Sequence, residues 1–213
     1  MLTLGNRAQR VAVIDYKAGN LRNISKAVSA VGCDVLIADR PAQLKDVDKI
    51  LIPGMGAAGN ALTHLKNTEL FDAIIKNKQA SKGIIGICLG FHLFYRSLAE
   101  ADGGVGFEYF PDDVVHLNKS NIVSEPIPNL GWLKVHSFFE DEMAYPWQDK
   151  YFYFAHSFTP EILNCDTSIG FSRFGRKKIV SVARSDNVIG CQFHPEKSGV
   201  SGLEFLKWQI DQV

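Results

Sequence analysis

Gly86-Ile87-Cys88-Leu89-Gly90 decides the fold, because it joins a short apolar run to a segment with apolar residues at helical spacing. Residues 83–87 are typical of a buried strand, and residues 91–98 predict a helix. Cys88 then lies on a strand-to-helix elbow, where small neighbours permit a tight turn and the thiol projects from the strand end. The N–H groups that open the helix would favour the thiolate. We interpret Cys88 as a candidate nucleophile, although this motif alone also fits a small buried cysteine.

A second stretch, from Val188 to Glu196, supplies a candidate base. If this stretch is extended, His194 and Glu196 face the same way, and the proline between them ends sheet pairing. A histidine can take the thiol proton and return it to a leaving group, while a carboxylate holds the ring in the required tautomer. Taken separately, His194 also fits a structural histidine at a strand end, and Glu196 fits a solvated turn residue.

Length and charge exclude several classes of function. The 213 residues suit one α/β domain, and we expect a single domain over residues 1–213 with a loose extension over residues 1–10. Lysine plus arginine (23) balance aspartate plus glutamate (23), so no net charge attracts nucleic acid or an anionic membrane. The four cysteines are scattered, which argues against a disulfide framework and a metal site. With neither a membrane-length apolar run nor a signal-peptide core, we expect a cytoplasmic protein without metal or cofactor.

Short strands and amphipathic helices alternate through the first half of the chain. The candidate strands are residues 11–15, 34–38, 49–52 and 83–87, and helical patterns follow Gly19-Asn20 and cover residues 62–75. This alternation predicts a mostly parallel sheet with helices on both faces. After Gly103 the apolar runs lie closer together, which predicts antiparallel strands. These runs are residues 114–117, 133–135, 151–155, 179–182 and 188–191, followed by a helix over residues 203–210.

Six motifs, in this order, resemble those of the class I glutamine amidotransferases. They are Asp15-Tyr16 with Gly19-Asn20-Leu21, Pro53-Gly54-Met55-Gly56, Gly86-Ile87-Cys88-Leu89-Gly90, Gly131-Trp132, Tyr151 to Phe158, and Gln192 to Ser198. The resemblance covers most of the chain. It implies the flavodoxin-like α/β fold of that family, with a mixed, mostly parallel central sheet and additional antiparallel strands in the C-terminal half. It also implies that Cys88, His194 and Glu196 form the family's catalytic triad.

The activity implied by the resemblance is hydrolysis of L-glutamine to L-glutamate and ammonia through a γ-glutamyl thioester on Cys88. Each step passes through a tetrahedral oxyanion, and the N–H of Leu89, directly after the nucleophile, is a suitable donor. A second donor is expected from the turn of Gly54, Met55 and Gly56, whose glycines let a peptide reorient. The family uses this turn as its oxyanion strand.

Substrate contacts follow the family less closely. The family has a glutamine four residues after the cysteine and a glutamate twelve residues after it; here the glutamate is Glu100, but His92 stands in place of the glutamine. A histidine is shorter and can carry charge near neutral pH, so His92 either contacts substrate or only packs on the elbow helix. The resemblance further places His156, Ser157 and Phe158 along the substrate, with phenylalanine where tyrosine is common.

A partner is implied because ammonia released into water is protonated and loses its nucleophilicity. The resemblance implies a heterodimer with a (β/α)₈ barrel synthase subunit that makes imidazole glycerol phosphate and AICAR in histidine biosynthesis. Asn20, Trp132, Tyr153 and Lys197 would face that barrel. Exposed aromatic residues beside a lysine suit an interface, although Trp132 and Tyr153 also fit ordinary core positions.

Three alternatives stay open at this point. The Phe91-His92 and Phe158 departures are compatible with a paralogue that supplies ammonia to a different synthase, such as one forming an amidino sugar for a surface polysaccharide. A cysteine enzyme of α/β-hydrolase type is disfavoured because its acid precedes its histidine, whereas Glu196 follows His194. A non-catalytic binding partner is disfavoured because all three triad residues are present.

Overall fold

An eight-stranded mixed sheet forms the centre of the protein. The structure is a computed structural model and describes residues 7–17, 21–119, 125–139, 145–161 and 167–213. The strands are β1 (Arg10–Ile14), β2 (Asp34–Ala38), β3 (Lys49–Ile52), β4 (Gly83–Ile87), β5 (Tyr95–Leu98), β6 (Gly104–Val105), β7 (Phe110–His116), β8 (Asn129–Lys134), β9 (His136–Ser137), β10 (Tyr151–His156), β11 (Phe158–Pro160), β12 (Ser168–Phe174), β13 (Lys177–Ser185) and β14 (Val188–Cys191). The helices are α1 (Leu21–Ala30), α2 (Ala58–Asn67), α3 (Leu70–Gln79), α4 (Leu89–His92) and α5 (Gly199–Asp211).

The order in the central sheet is β2-β1-β3-β4-β14-β13-β12-β9. The pairs from β2 to β14 are parallel, and β14, β13, β12 and β9 continue the sheet in antiparallel fashion. A four-stranded sheet, β11-β7-β5-β6, and the pair β10-β8 are built mostly from the second half of the described chain. The predicted fold class, a mostly parallel sheet with additional antiparallel strands, is therefore confirmed.

Helices cover both faces of the parallel strands because the side chains of each strand alternate between faces. In β1, Ala12 and Ile14 pack in the apolar cluster that contains α2 and α3, whereas Val11 and Val13 pack in the cluster that contains α1 and α5. Each helix buries one apolar stripe against the sheet. The catalytic candidates lie beyond the carboxyl ends of β4 and β14, two adjacent parallel strands in the middle of this sandwich.

The helix predicted over residues 91–98 is wrong. The helix after the elbow is only α4, which ends at His92, and Tyr95 begins strand β5. The apolar spacing has another cause: Phe91, Phe94 and Tyr95 are all fully buried and make ring contacts with Phe110. A segment that is buried on every side is apolar throughout, whatever its secondary structure. Apolar residues at helical spacing therefore occur here in a turn and a strand.

Three of the predictions concern residues that lie outside the described ranges. Asn20, with the Gly19-Asn20 helix start, and Cys165 lie outside them, as do residues 1–6 of the predicted loose extension. Within residues 7–10 the chain is tied down, since the Gln9 carbonyl accepts a bond from the Asp34 N–H and Arg10 already belongs to β1. None of the helices in the described residues is long and apolar enough to cross a bilayer.

Candidate active site

Cys88 occupies a strained backbone position between β4 and α4. It has a φ of 48° and a ψ of −104°, a conformation that residues with a side chain seldom adopt, and its N–H donates to the Cys191 carbonyl at 2.7 Å. Gly90 makes the tight turn possible, because a Cβ there would run into the Ile52 carbonyl oxygen. The elbow is thus held by the neighbouring strands, and the thiol is 6% exposed at the bottom of a cavity.

His194 and Glu196 form a buried pair beside this thiol. The Nδ1 of His194 lies 2.8 Å from Glu196 Oε1, and the ring also forms a side-chain hydrogen bond with Cys88. Burial lowers the pKa of His194, but the charge and hydrogen bond of the thiolate, together with Glu196, outweigh burial and raise this pKa to about 10. The arrangement favours a protonated imidazole that faces Cys88 and is backed by a carboxylate.

The backbone around Glu196 differs from the extended strand that the sequence predicts. Pro195–Lys197 form a single 3₁₀ turn, and only His194 keeps an extended conformation, with φ of −101° and ψ of 95°. The proline lacks an N–H and starts the turn, which folds the carboxylate back under the imidazole ring. The expected pairing of His194 with Glu196 is present, but a turn produces it and strand alternation does not.

The turn of Gly54, Met55 and Gly56 packs directly on the elbow, since a Cβ at Gly54 would overlap the Ile87 carbonyl and the Cys88 Cβ. The Tyr16 hydroxyl forms two hydrogen bonds with this turn. It donates to the Pro53 carbonyl oxygen at 2.6 Å and accepts from the Met55 N–H at 3.3 Å. The Met55 N–H is therefore engaged by Tyr16 in this structure. The Leu89 N–H, at the first position of α4, has no partner within the helix.

A cavity of about 290 Å³ opens above Cys88. Its volume equals that of about ten water molecules, which suits an amino acid better than a nucleotide. The residues that line it are Gly54, Met55, Gly56, Cys88, Leu89, His92, Glu100, Pro128, Leu130, Ala155, His156, Ser157, Phe158, His194 and Lys197. The structure thus gathers every predicted oxyanion and substrate residue around the thiol, with Glu196 behind His194.

Three of these lining residues already hold protein partners. His156 donates from Nδ1 to the Phe158 carbonyl at 2.7 Å and accepts at Nε2 from Asn129 at 2.9 Å, and burial lowers its pKa to about 3. Burial raises the pKa of Glu100, whose carboxylate accepts a bond from the backbone N–H of Ala58 at the start of α2. His92 bonds Gln192 through Nε2 at 2.8 Å.

The site has a buried floor and a more exposed rim. The floor comprises Cys88, Gln192, His194 and Glu196. The rim comprises Met55, Leu130, Trp132, Tyr153 and Lys197. On the rim, Trp132 is 53% exposed and meets Tyr153 edge-on, and Lys197 Nζ lies 5.9 Å from the centre of the Tyr153 ring. Trp132 is therefore not a core residue, although neither it nor Tyr153 lines the cavity.

A family model also matches most of this chain. The model described as glutamine amidotransferase class-I matches residues 12–212. The chain belongs to the class I glutamine amidotransferase family. The predicted resemblance is thereby confirmed.

Curated relatives narrow the comparison within the class I glutamine amidotransferases. The imidazole glycerol phosphate synthase subunit HisH of Methanothermobacter thermautotrophicus is 33% identical over 197 residues, which cover 92% of this chain and 96% of that relative. The HisH subunit of Sulfurimonas denitrificans is 34% identical, with 92% and 95% covered, and that of Lactococcus lactis is 30% identical, with 96% and 100% covered. The chain spans nearly the whole length of these relatives.

Solved structures support the same fold at lower identity. A glutamine amidotransferase crystal structure superposes with a TM-score of 0.74 at 14% identity, covering 95% of this chain and 99% of the other. A chain of PurLQS from Thermotoga maritima gives a TM-score of 0.70 at 17% identity, with 97% and 99% covered.

Sequence reasoning assigned no role to two residues that contact the floor and the turn. Gln192 is fully buried and its amide Nε2 lies 3.8 Å from Cys88 Sγ. The sequence did indicate that Gln192 lies near the site. Residues two apart on an extended segment share a face, and Gln192 lies two positions before His194. Tyr16 carried no such signal, since its contact with the Pro53-to-Gly56 turn joins segments far apart in the chain.

Proposed function

We propose that this protein hydrolyses L-glutamine to L-glutamate and ammonia with Cys88 as nucleophile, His194 as acid and base, and Glu196 as the group that orients His194. One observation chiefly supports the proposal: the buried His194 ring bonds both the Cys88 thiol and the Glu196 carboxylate, and the thiol and the ring line an amino-acid-sized cavity. We further propose that residues 1–213 act as one domain.

The chemistry follows from the contacts. His194 takes the thiol proton, and Cys88 Sγ attacks the γ-carboxamide carbon of glutamine. The carbon–nitrogen bond then breaks while His194 gives the proton to the leaving nitrogen, which departs as ammonia. Water gives a proton to His194 and adds through its oxygen to the γ-glutamyl thioester; glutamate leaves and the proton returns to sulfur. Glu196 stabilises the imidazolium that forms twice in this cycle.

The oxyanion of each tetrahedral intermediate needs hydrogen-bond donors near the elbow. The proposed donors are the Leu89 N–H and an N–H of the turn formed by Gly54, Met55 and Gly56. The Met55 N–H donates to Tyr16 in this structure, so its use would require the peptide to turn toward the cavity. Loss of one such donor lowers kcat by about 10²–10³ in comparable enzymes.

The remaining lining residues are proposed to hold the substrate. Glu100, half-buried at the mouth, provides negative charge for the α-ammonium group of glutamine. Ser157 and Phe158 present backbone and ring surface along one wall, and His156 fixes that wall through its bond to the Phe158 carbonyl. His92 lies deeper, beside the elbow.

A partner is proposed to receive the ammonia. The relatives with 30–34% identity are named as HisH subunits of imidazole glycerol phosphate synthase. We infer that this chain is the glutaminase subunit of such a synthase, pairs with a HisF-like (β/α)₈ barrel subunit, and supplies histidine biosynthesis. Trp132, Tyr153 and Lys197, which form the exposed side of the rim, are proposed to contact that subunit; Asn20 is proposed with them, but it lies outside the described residues.

The test combines the pure protein with a HisF-like subunit and its nucleotide substrate, and measures glutamate release. We expect slow hydrolysis by the protein alone and a large rise in the complex. In the Cys88→Ala complex, glutamate release should be lost while synthesis from added ammonia continues. Unchanged glutamate release after this substitution would disprove the role of Cys88. Cys88-dependent hydrolysis that no HisF-like subunit stimulates would favour supply of a different synthase, the alternative that the Phe91-His92 and Phe158 departures support.

A further inference from the structure

Gln192 connects two residues of the elbow although it lies about a hundred positions later in the chain. The parallel pairing of β4 with β14 sets Cys191 opposite Ile87, so the next residues, Gln192 and Cys88, lie side by side beyond the strand ends. Gln192 is completely buried, and its backbone N–H donates to the Ser181 carbonyl at 3.0 Å. Its position is therefore fixed by the central sheet and not by a loop.

The orientation of the Gln192 amide follows from its two neighbours. Its Nε2 lies 3.8 Å from Cys88 Sγ, and its Oε1 lies 2.8 Å from His92 Nε2. An amide oxygen only accepts hydrogen bonds, so His92 must carry its proton on Nε2. The opposite tautomer gains nothing, since Nδ1 of His92 has no hydrogen-bond partner among the described residues. A flipped amide would direct its oxygen at the sulfur and repel a thiolate.

His92 supplies this hydrogen bond without adding charge. Burial lowers the pKa of His92 to about 4, so the ring is neutral at physiological pH and donates through Nε2 alone. Other titratable groups also surround Cys88, on elements other than its own. These are Tyr16 after β1, Glu100 after β5, His156 at the end of β10, Cys191 at the end of β14, and His194, Glu196 and Lys197 in the turn that follows β14.

We propose that Gln192 is a positioning residue that donates a hydrogen bond to the Cys88 thiolate and is itself oriented by His92. The proposal rests on the proposed function of Cys88 as nucleophile and deepens it. His92, which stands where the family has a glutamine, would then affect Cys88 by orienting Gln192. The thiolate gains a second donor besides His194, and a hydrogen bond to a charged group is worth more than one between neutral groups.

The test measures alkylation of Cys88 by iodoacetamide between pH 5 and 9, using the full chain and peptide mass spectrometry, with Cys88→Ala as the background. In Gln192→Met, which keeps the length but loses the donor, the midpoint of the rate profile should move up by about one pH unit, and the rate below the midpoint should fall about tenfold. His92→Phe, which frees the amide to flip, should move the midpoint in the same direction. His92→Gln keeps a donor for Oε1 and should retain the original midpoint.

Circular dichroism and the thermal midpoint identify variants that fold. A folded Gln192→Met variant with an unshifted profile would overturn the proposal, as would equal profiles for His92→Phe and His92→Gln. If Gln192→Met does not fold, the His92 pair decides by itself. Alkylation needs no glutamine, so failure of the proposed function is distinguishable: it would leave the shifted profile intact while glutamate release is absent.

Discussion

The floor and the rim of the cavity are built differently. Three of the four floor residues, Cys88, Gln192 and His194, are at most 6% exposed, and they follow two adjacent parallel strands of the central sheet. On the rim, Leu130 is 63% exposed and Trp132 is 53% exposed, and they belong to β8, which among the described strands pairs with β10 alone. The floor therefore has its geometry set inside this chain, whereas the rim presents apolar surface that nothing in the described chain covers.

The difference separates two kinds of substitution. Changes in the floor should alter chemistry or stability in the isolated protein, because buried neighbours cannot relax around them. Changes on the rim should leave the isolated protein nearly unaffected and act only when the synthase subunit binds. The following predictions test this separation.

The largest effect is expected from Glu196→Gln. The amide removes the charge behind His194 and places a donor against Nδ1, so the ring would be held in the wrong tautomer. We expect kcat for glutamine hydrolysis to fall by about 10²–10⁴. The matched control is Glu204→Gln, which removes an exposed charge paired with Lys150 and should leave kcat unchanged. A decrease of less than tenfold in a folded Glu196→Gln protein would contradict the orienting role.

Gly90→Ala should produce the next largest effect. A Cβ at Gly90 meets the Ile52 and Pro53 carbonyl oxygens, which are backbone atoms and cannot rotate away. We expect the free energy of unfolding in urea to fall by about 1–3 kcal/mol. In Gly59→Ala, within α2, the nearest atom is 3.9 Å away, and this control should be stabilised by about 0.5–1 kcal/mol. Equal stability of the two variants would show that the elbow tolerates a side chain.

The two buried neutral histidines should make the protein sensitive to acid. Burial lowers the pKa of His92 to about 4 and that of His156 to about 3, from an ordinary value of 6.5. Below pH 6.5 the unfolded chain binds protons that the native state does not, so stability is present above this pH and falls as the pH drops toward 4. His194, with a raised pKa of about 10, stays protonated in the native state, and the unfolded chain takes up this proton as the pH falls through 6.5. His194 therefore offsets part of the loss near pH 7 and adds little slope below about pH 6.

Each of these histidines contributes at most about 1.4 kcal/mol per pH unit to that slope. The measurement is the free energy of unfolding at pH 6, 5.5 and 5, where His194 adds little slope, and His92→Gln should remove about half of the loss. A stability that stays flat over this range, or a variant with an unchanged slope, would mean that these rings are not held neutral.

The contrast between local and distant contacts also explains which parts of the structure the sequence predicts correctly. The strands β2, β3 and β14 follow their predicted ranges, because each is a short apolar run bounded by turn residues. The elbow at Cys88 is present for the same reason. Local pattern fails where burial is complete on all sides, as at Phe94 and Tyr95, where helical spacing coincided with a strand.

Contacts between distant segments were beyond any local pattern. The bond from His92 to Gln192 depends on which strands become neighbours in the sheet, and the sequence predicts the strands but not their order. The His194–Glu196 pair was predicted because its two residues are close in the chain. Its 3₁₀ backbone was missed because alternation and a tight turn both place these side chains together.

The smallest effect on the isolated protein is expected from Trp132→Ala on the rim. Trp132 is half exposed and meets Tyr153 only edge-on, so its removal should change the free energy of unfolding by less than about 0.5 kcal/mol. Basal glutamine hydrolysis should stay within about twofold of wild type, because the indole does not line the cavity above Cys88.

In the complex, by contrast, Trp132→Ala should weaken binding of the synthase subunit about tenfold or more, as the loss of a central aromatic does at other interfaces. Titration of the barrel subunit, with glutamate release as the readout, measures this. Ile37→Ala is the control, since Ile37 is exposed on the far edge strand β2 and should have no effect. If the two variants titrate alike, the rim is not the docking surface, and the exposed apolar side chains of β8 need another explanation.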